Sequence, residues 1–160
     1  MAFPNHENQF QKKDGQGSSR SWHKTPKPIE AKPVPDDYVE QAEKAMRKLV
    51  DRPGKPVTTT KIRNLFSLVV DICSEEELRA ESTLQDKSVA RLKRMYVRVV
   101  YESGRDDATK RFVETVELLE YLKDIGNDRE KLIRFTRYME ALVAFHRYLS
   151  LIHISEPTRH

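Results

Sequence analysis

The stretch Arg134-Phe-Thr-Arg-Tyr-Met-Glu-Ala-Leu-Val-Ala-Phe-His-Arg-Tyr148 decides the fold. It holds no Gly or Pro, so nothing in it interrupts a helix. At about 100° per residue, Phe135, Tyr138, Met139, Leu142, Val143, Phe145, His146 and Leu149 gather on one broad side, as in a helix laid against a core. A narrower stripe of Arg134, Arg137, Ala141, Ala144 and Tyr148 runs along another side. On periodicity alone this is a core helix with a solvated back. The sharper reading is a helix that docks on one side and lets a polyanion approach on the other.

The same periodicity recurs towards the N-terminus. A first helix starts at Asp36 or Asp37, just after Pro35, where acidic residues suit the cap and the helix dipole. Tyr38, Val39, Ala42, Ala45, Met46 and Leu49 form its apolar side, and Asp51-Arg-Pro-Gly-Lys-Pro56 breaks it. Thr58, Thr59 and Thr60 offer capping hydroxyls to a second helix. Ile62, Leu65, Phe66, Val69, Val70, Ile72 and Cys73 cover its buried face. The β-branched pair Val69-Val70 admits a strand, but no partner strand pattern exists elsewhere, so the helix is preferred. Residues 74–86 are acidic and read as a helix end and loop.

A third helix is predicted over 84–103, with Leu92, Met95, Tyr96, Val99 and Val100 on its apolar side. Lys87, Arg91, Arg94 and Arg98 fall within about 60° of one another on the opposite side. Four cations with no carboxylate between them repel unless solvent or an anion intervenes. Gly104 reads as the left-handed residue that ends this helix. A fourth helix is predicted over 106–123, Gly126-Asn127 closes it, and Asp128 opens the last. The expected fold class is therefore all-α: a compact antiparallel bundle of about five helices joined by short loops.

Three segments are distinguished. Residues 1–35 carry five of the eight prolines and few aliphatics, and read as a disordered basic, Pro-rich tail. Residues 36–150 form the helical domain. Residues 151–160 differ in character from the rest and read as an atypical tail to which no function is assigned.

The formal net charge is +4, but its location matters. The tail holds six Lys/Arg against three Asp/Glu, so residues 36–150 are nearly balanced, with 22 basic and 21 acidic side chains. Bulk charge thus gives no case for nucleic-acid binding, and any such case rests on clustering. No apolar run approaches ~18 residues, which speaks against a membrane span. The N-terminus carries no continuous apolar stretch of the secretory type. Cys73 is the only cysteine, so an intrachain disulfide and a cysteine zinc cluster are excluded. A cytoplasmic location is compatible with this usage.

Catalytic signals are missing too. No Gly-rich phosphate loop follows a strand, and no His or Cys cluster has metal-ligand spacing. Four of the five histidines lie in the tails, and His146 stands alone on the rim of an apolar face. The expectation is a protein that is not an enzyme, with no cofactor and no metal.

Several segments in order resemble one family. They are Thr58-Thr-Thr-Lys-Ile-Arg-Asn-Leu-Phe-Ser-Leu68, Leu92-Lys-Arg-Met-Tyr-Val-Arg-Val-Val-Tyr-Glu-Ser-Gly-Arg105, Phe112-Val-Glu, Asp124-Ile-Gly-Asn127, and Arg137 through Arg147. Together they resemble the small helical subunit of the type III-A CRISPR–Csm interference complex, over residues 36–148. The resemblance implies a non-catalytic subunit that stacks along the backbone filament carrying the CRISPR RNA. Its implied partners are target RNA, the CRISPR RNA-containing complex, and the backbone, large and neighbouring small subunits, with no membrane.

A subunit that meets many targets must contact phosphate and sugar rather than base edges. The candidate RNA-binding residues are Lys61, Arg63, Arg91, Arg94, Arg98, Arg105, Arg134, Arg137 and Arg147. The family pattern matches Lys61, Arg63, Arg105, Arg137 and Arg147, while Arg94 and Arg98 rest on helix phase. Two alternatives stand beside this reading. One is a helical DNA-binding regulator, disfavoured because the helix after Gly104 is acidic at Glu114, Glu117 and Glu120. The other is an adaptor that binds protein only.

Overall fold

A computed structural model describes residues 27–154, with side chains through Leu151. Residues 1–26 and 155–160, assigned above to the tails, lie outside the described residues. Six helices follow one another: α1 (Tyr38–Val50), α2 (Thr59–Glu77), α3 (Asp86–Arg105), α4 (Asp107–Thr115), α5 (Leu118–Asp124) and α6 (Arg129–Ile154). Among the described residues there is no strand, and no helix is long and apolar enough to cross a membrane.

The 26 residues of α6 make it the spine, about 39 Å long at 1.5 Å per residue. Leu132, Phe135, Met139 and Leu142 are fully buried, and Tyr138, His146 and Leu149 nearly so, as the periodicity predicts. Val143 and Phe145 are only partly buried against the core. α6 packs mainly on α1 and α2. α2 runs antiparallel to it, since Thr59 meets His146 at one end and Arg129 meets Glu76 at the other. α3 packs on α2, α4 and α5, and the core is continuous through all six helices.

The helix ends explain why the chain turns where it does. Thr58 caps α2, its hydroxyl accepting from the Lys61 amide at 3.1 Å. Gly54 lies between α1 and α2 at φ +113, a conformation that favours glycine, with the Arg111 guanidinium packed close against it. The start of α3 is capped from another helix. The buried carboxylate of Glu76 accepts from the Gln85 amide, the Ser88 hydroxyl and Arg79. Arg129, in the first turn of α6, donates in turn to the carbonyls of Glu76 and Glu77, at 2.8 and 3.0 Å. One buried carboxylate and one guanidinium thus bind α2, α3 and α6 at a single corner.

Three boundaries differ from expectation. Gly104 does not end α3; it lies inside the helix and has no positive φ. The stop is Asp106, whose extended backbone (φ −139) closes α3 while its carboxylate caps α4 by accepting from the Thr109 amide at 3.3 Å, with the Thr109 hydroxyl donating to it as well at 2.6 Å. The helix predicted over 106–123 is two helices, α4 and α5. They separate at Glu117, a non-glycine residue in the left-handed region at φ 55. Lys32 and the Tyr121 hydroxyl hold its carboxylate, and the Tyr138 hydroxyl donates to the Val116 carbonyl at the break, at 2.9 Å. Finally, residues 27–35, which the sequence places in the tail, are docked beside α5. Val34 is buried, the Lys32 amide donates to the Glu120 carbonyl, and Lys123 donates to the Ile29 carbonyl.

Candidate nucleic-acid interface

α2 and α3 lie antiparallel, with Lys61 opposite Glu102 and Glu75 opposite Arg91. Between them runs an open groove of about 550 Å³, floored by Leu68 and Ile72 and walled by Arg91, Arg94, Arg98 and Tyr101. Extension of α3 through Gly104 brings Arg105 into line as well. Arg91, Arg94, Arg98, Tyr101 and Arg105 follow a 3-4-3-4 spacing, which keeps all five on one strip of the helix.

This strip is less bare than its sequence implies. Glu75 reaches across from α2 to Lys87 and Arg91, at 3.5 and 3.2 Å. Glu102, on α3 itself, takes Lys61 at 2.9 Å and Arg98 at 3.2 Å. The expectation of four cations without a carboxylate among them is corrected by these two glutamates. The Lys61 hydrogen bond, aided by the nearby Arg98 and Arg105 charges, holds the Glu102 carboxyl below its ordinary value despite burial. Lys61 is therefore a half-buried strut between α2 and α3, with limited freedom to reach outward. Arg94 is exposed and has no ion pair among the described residues, as do Arg63, Arg137 and Arg147. In all, Lys61, Lys87, Arg91, Arg94, Arg98 and Arg105 face Asp71, Glu75 and Glu102, which leaves the groove cationic.

The α6 arginines form a different surface. Arg134 pairs with Asp36 at 3.0 Å and approaches the Val34 carbonyl, so the docked N-terminal segment occupies it. Arg137 lines a recess with Pro33, Val34, Tyr121 and Lys131, which shares no residue with the α2–α3 groove. Beyond it, Ala144, Arg147, Tyr148 and Leu151 are exposed along the outer side of α6. The nine candidate residues are thus divided: Lys61, Arg91, Arg94, Arg98 and Arg105 are brought together, whereas Arg134, Arg137 and Arg147 are not with them. Arg63 stands exposed near the start of α2.

The groove holds guanidiniums, a phenol and an apolar floor, which suits it to gripping an anionic chain. His146 and Cys73 lie elsewhere and inside. The His146 Nε2 lies 3.1 Å from the Val57 carbonyl and its Nδ1 2.9 Å from the Thr59 hydroxyl. Burial lowers its pKa, although the Val57 hydrogen bond opposes the shift. Cys73 is buried, and its burial pushes the thiol up, away from the reactive thiolate.

The family model for Csm2 of type III-A matches residues 32–151, from the docked N-terminal segment through nearly all of α6. The chain belongs to the Csm2 type III-A family. A protein of Mycobacterium tuberculosis named CRISPR system Cms protein Csm2 is 43% identical over 116 residues, covering 72% of this chain and 94% of that protein. A protein of the same name from Streptococcus thermophilus is 39% identical, over 71% of this chain and 91% of its own length. One from Enterococcus italicus is 30% identical over 95 residues. The expectation of a small subunit of the type III-A Csm complex stands at this level.

In this Csm2 chain, the sequence reading missed Tyr101, Glu75 and Glu102 in the groove. Tyr101 carried a signal, because it lies inside the helix predicted over 84–103 at helical spacing from Arg94 and Arg98; only Arg105 falls beyond the expected stop at Gly104. Glu102 stands four residues after Arg98, a spacing at which an ion pair is expected. Glu75 carried none, since its partners lie 12 and 16 residues away and meet it only through the antiparallel packing of α2 and α3.

Proposed function

We propose that this Csm2 chain is a non-catalytic small subunit that stacks along the backbone filament of a type III-A RNA-guided effector. In that place it holds target RNA, or the guide–target duplex, by its sugar-phosphate backbone. The observation that carries the RNA contact is the strip Arg91–Arg94–Arg98–Arg105 on an open groove with an apolar floor. Guanidiniums on a rigid helix contact phosphates without reading bases, which suits a subunit that serves targets of any sequence. Glu102 and Glu75 fix Arg98 and Arg91 in place, which limits the side-chain entropy lost on binding. Arg94, free of such partners, is the groove's most available phosphate contact. The outer side of α6, with Arg137 and Arg147, faces neighbouring subunits or a further stretch of RNA.

The test is Arg94→Glu in the assembled effector, with target-RNA affinity measured across a salt series. Arg94 is exposed, so the substitution leaves the fold intact. Each lost phosphate contact reduces the slope of log affinity against log salt by about 0.7 to 0.9. The expected result is weaker binding at low salt, a slope shallower by about that amount, and a loss that is uniform across target sequences. Affinity and slope both unchanged would reject the RNA contact and favour a protein-only adaptor.

A further inference from the structure

We infer that Tyr101 is a nucleobase-stacking site, and that the groove therefore takes RNA with at least one base turned out of its helical stack. This rests on the phosphate-binding reading of the same groove and adds to it a contact with a base. Tyr101 is 57% exposed, and its hydroxyl makes no hydrogen bond among the described residues. The Arg105 guanidinium lies over the ring at 5.4 Å, so one face is covered and orientated by a cation–π contact. The ring also lines the groove, together with Arg94 and Arg98. Arg98 and Arg105 stand one turn before and one turn after Tyr101 on α3, placing a cation on each side of the ring along the helix axis.

An aromatic face between cations is the arrangement that holds single-stranded nucleic acid: phosphates meet the charges and a base meets the ring. A paired base inside an A-form helix offers no such face, because its neighbours cover both sides. The ring thus selects an unpaired or splayed nucleotide, and every base has a π-face, so this selection is tolerant of sequence. Exposed Val97 and Leu68 border the same wall and give the displaced base an apolar surround. The arrangement is local to one strip of α3. It depends on the helix continuing through Gly104, without which Arg105 would not reach Tyr101.

The experiment uses the assembled effector with target RNAs shortened so that guide pairing does not saturate the affinity. A single abasic nucleotide is walked along the target. Wild-type, Tyr101→Phe and Tyr101→Ala complexes are compared, with Arg94→Glu run in parallel. Tyr101→Ala is expected to weaken binding of intact RNA about tenfold, and Tyr101→Phe to restore it. At one recurring abasic position the wild-type complex loses the same factor, and Tyr101→Ala loses nothing more. The salt slope of Tyr101→Ala stays that of the wild type. Binding within twofold of wild type for Tyr101→Ala, or a loss that persists undiminished at every abasic position, overturns the stacking site. Neither result touches the phosphate reading, which falls only if Arg94→Glu leaves affinity and salt slope unchanged.

Discussion

His146 enters the interior as a neutral ring. A carbonyl only accepts, so Nε2 must carry the proton it donates to Val57, and Nδ1 then accepts from the Thr59 hydroxyl. This fixes the tautomer and ties α6 to the entry of α2. Burial lowers the folded pKa below the ordinary value of 6.5. As pH falls past that value, the unfolded chain takes up the proton first, so stability declines from there and levels off only below the folded pKa. Unfolding by urea at pH 7.5 and 5.5 is expected to show lower stability at the acid value. His146→Gln is less stable at pH 7.5 but shows a flatter dependence over this interval. An unchanged pH dependence in the variant would assign the titration to another group. Glu76 works in the opposite range: burial raises its pKa, but hydrogen bonds from Ser88, Arg79 and Gln85 outweigh this and hold it below 4.5. Its contribution is therefore full at neutral pH and is lost only as pH drops below that value. The sequence marks His146 as a rim residue with a structural task, but its partners at positions 57 and 59 are set by packing across 87 and 89 residues.

At the scale of the element, α3 shows how a sound local rule yields to its surroundings. Glycine is favoured just after a helix because it tolerates positive φ. At position 104 the rule fails because Asp106, two residues on, already supplies a stop, with extended backbone and a side chain that caps α4. Gly104 is then a helix-interior glycine, and a Cβ there meets nothing within 4 Å. Gly104→Ala is therefore expected to stabilise the chain by about 0.5–1 kcal/mol, read as a higher urea midpoint at constant m. A left-handed cap would give the opposite sign, so the direction alone decides between them. Glu117 makes the converse case. No Gly or Pro marks the α4–α5 break, and the apolar spacing of Phe112, Val113, Val116 and Leu119 continues across it. The break is stabilised from outside, by Lys32 on its carboxylate and Tyr138 on the Val116 carbonyl. Periodicity within a segment carries no trace of such contacts.

For the molecule as a whole, the helices were legible because each buries one face, and the core residues of α2 and α6 follow directly from spacing. The N-terminal limit of the fold was not, because residues 27–35 have the Pro-rich, aliphatic-poor composition of a tail. Yet a segment needs only a few well-placed groups to dock on an existing surface. Here these are Val34 in the core, Lys32 across Glu117, the Lys32 amide on the Glu120 carbonyl of α5, and the Lys123 ammonium of α5 on the Ile29 carbonyl. The Lys32–Glu117 pair is about half exposed and adds little on its own, so the weight falls on Val34, which is 7% exposed. Val34→Ala removes two buried methyl groups and should cost about 1–2 kcal/mol, seen as a lower urea midpoint. Val34→Asn replaces the apolar anchor by an amide that water solvates better than the core does, and brings no charge to pair with Lys131, Arg134 or Arg137 nearby, so it releases the segment from the native state. Less surface is then left to expose on unfolding, and the m-value should fall as well as the midpoint. Release also frees Arg134 from the Val34 carbonyl and Asp36, adding a cation to the α6 face. If that face meets RNA in the assembled effector, Val34→Asn binds target more tightly at low salt although the chain itself is less stable. If it meets a neighbouring subunit, the same variant weakens assembly instead. A Val34→Ala variant unchanged in both midpoint and m-value would show that the segment does not stay docked in solution.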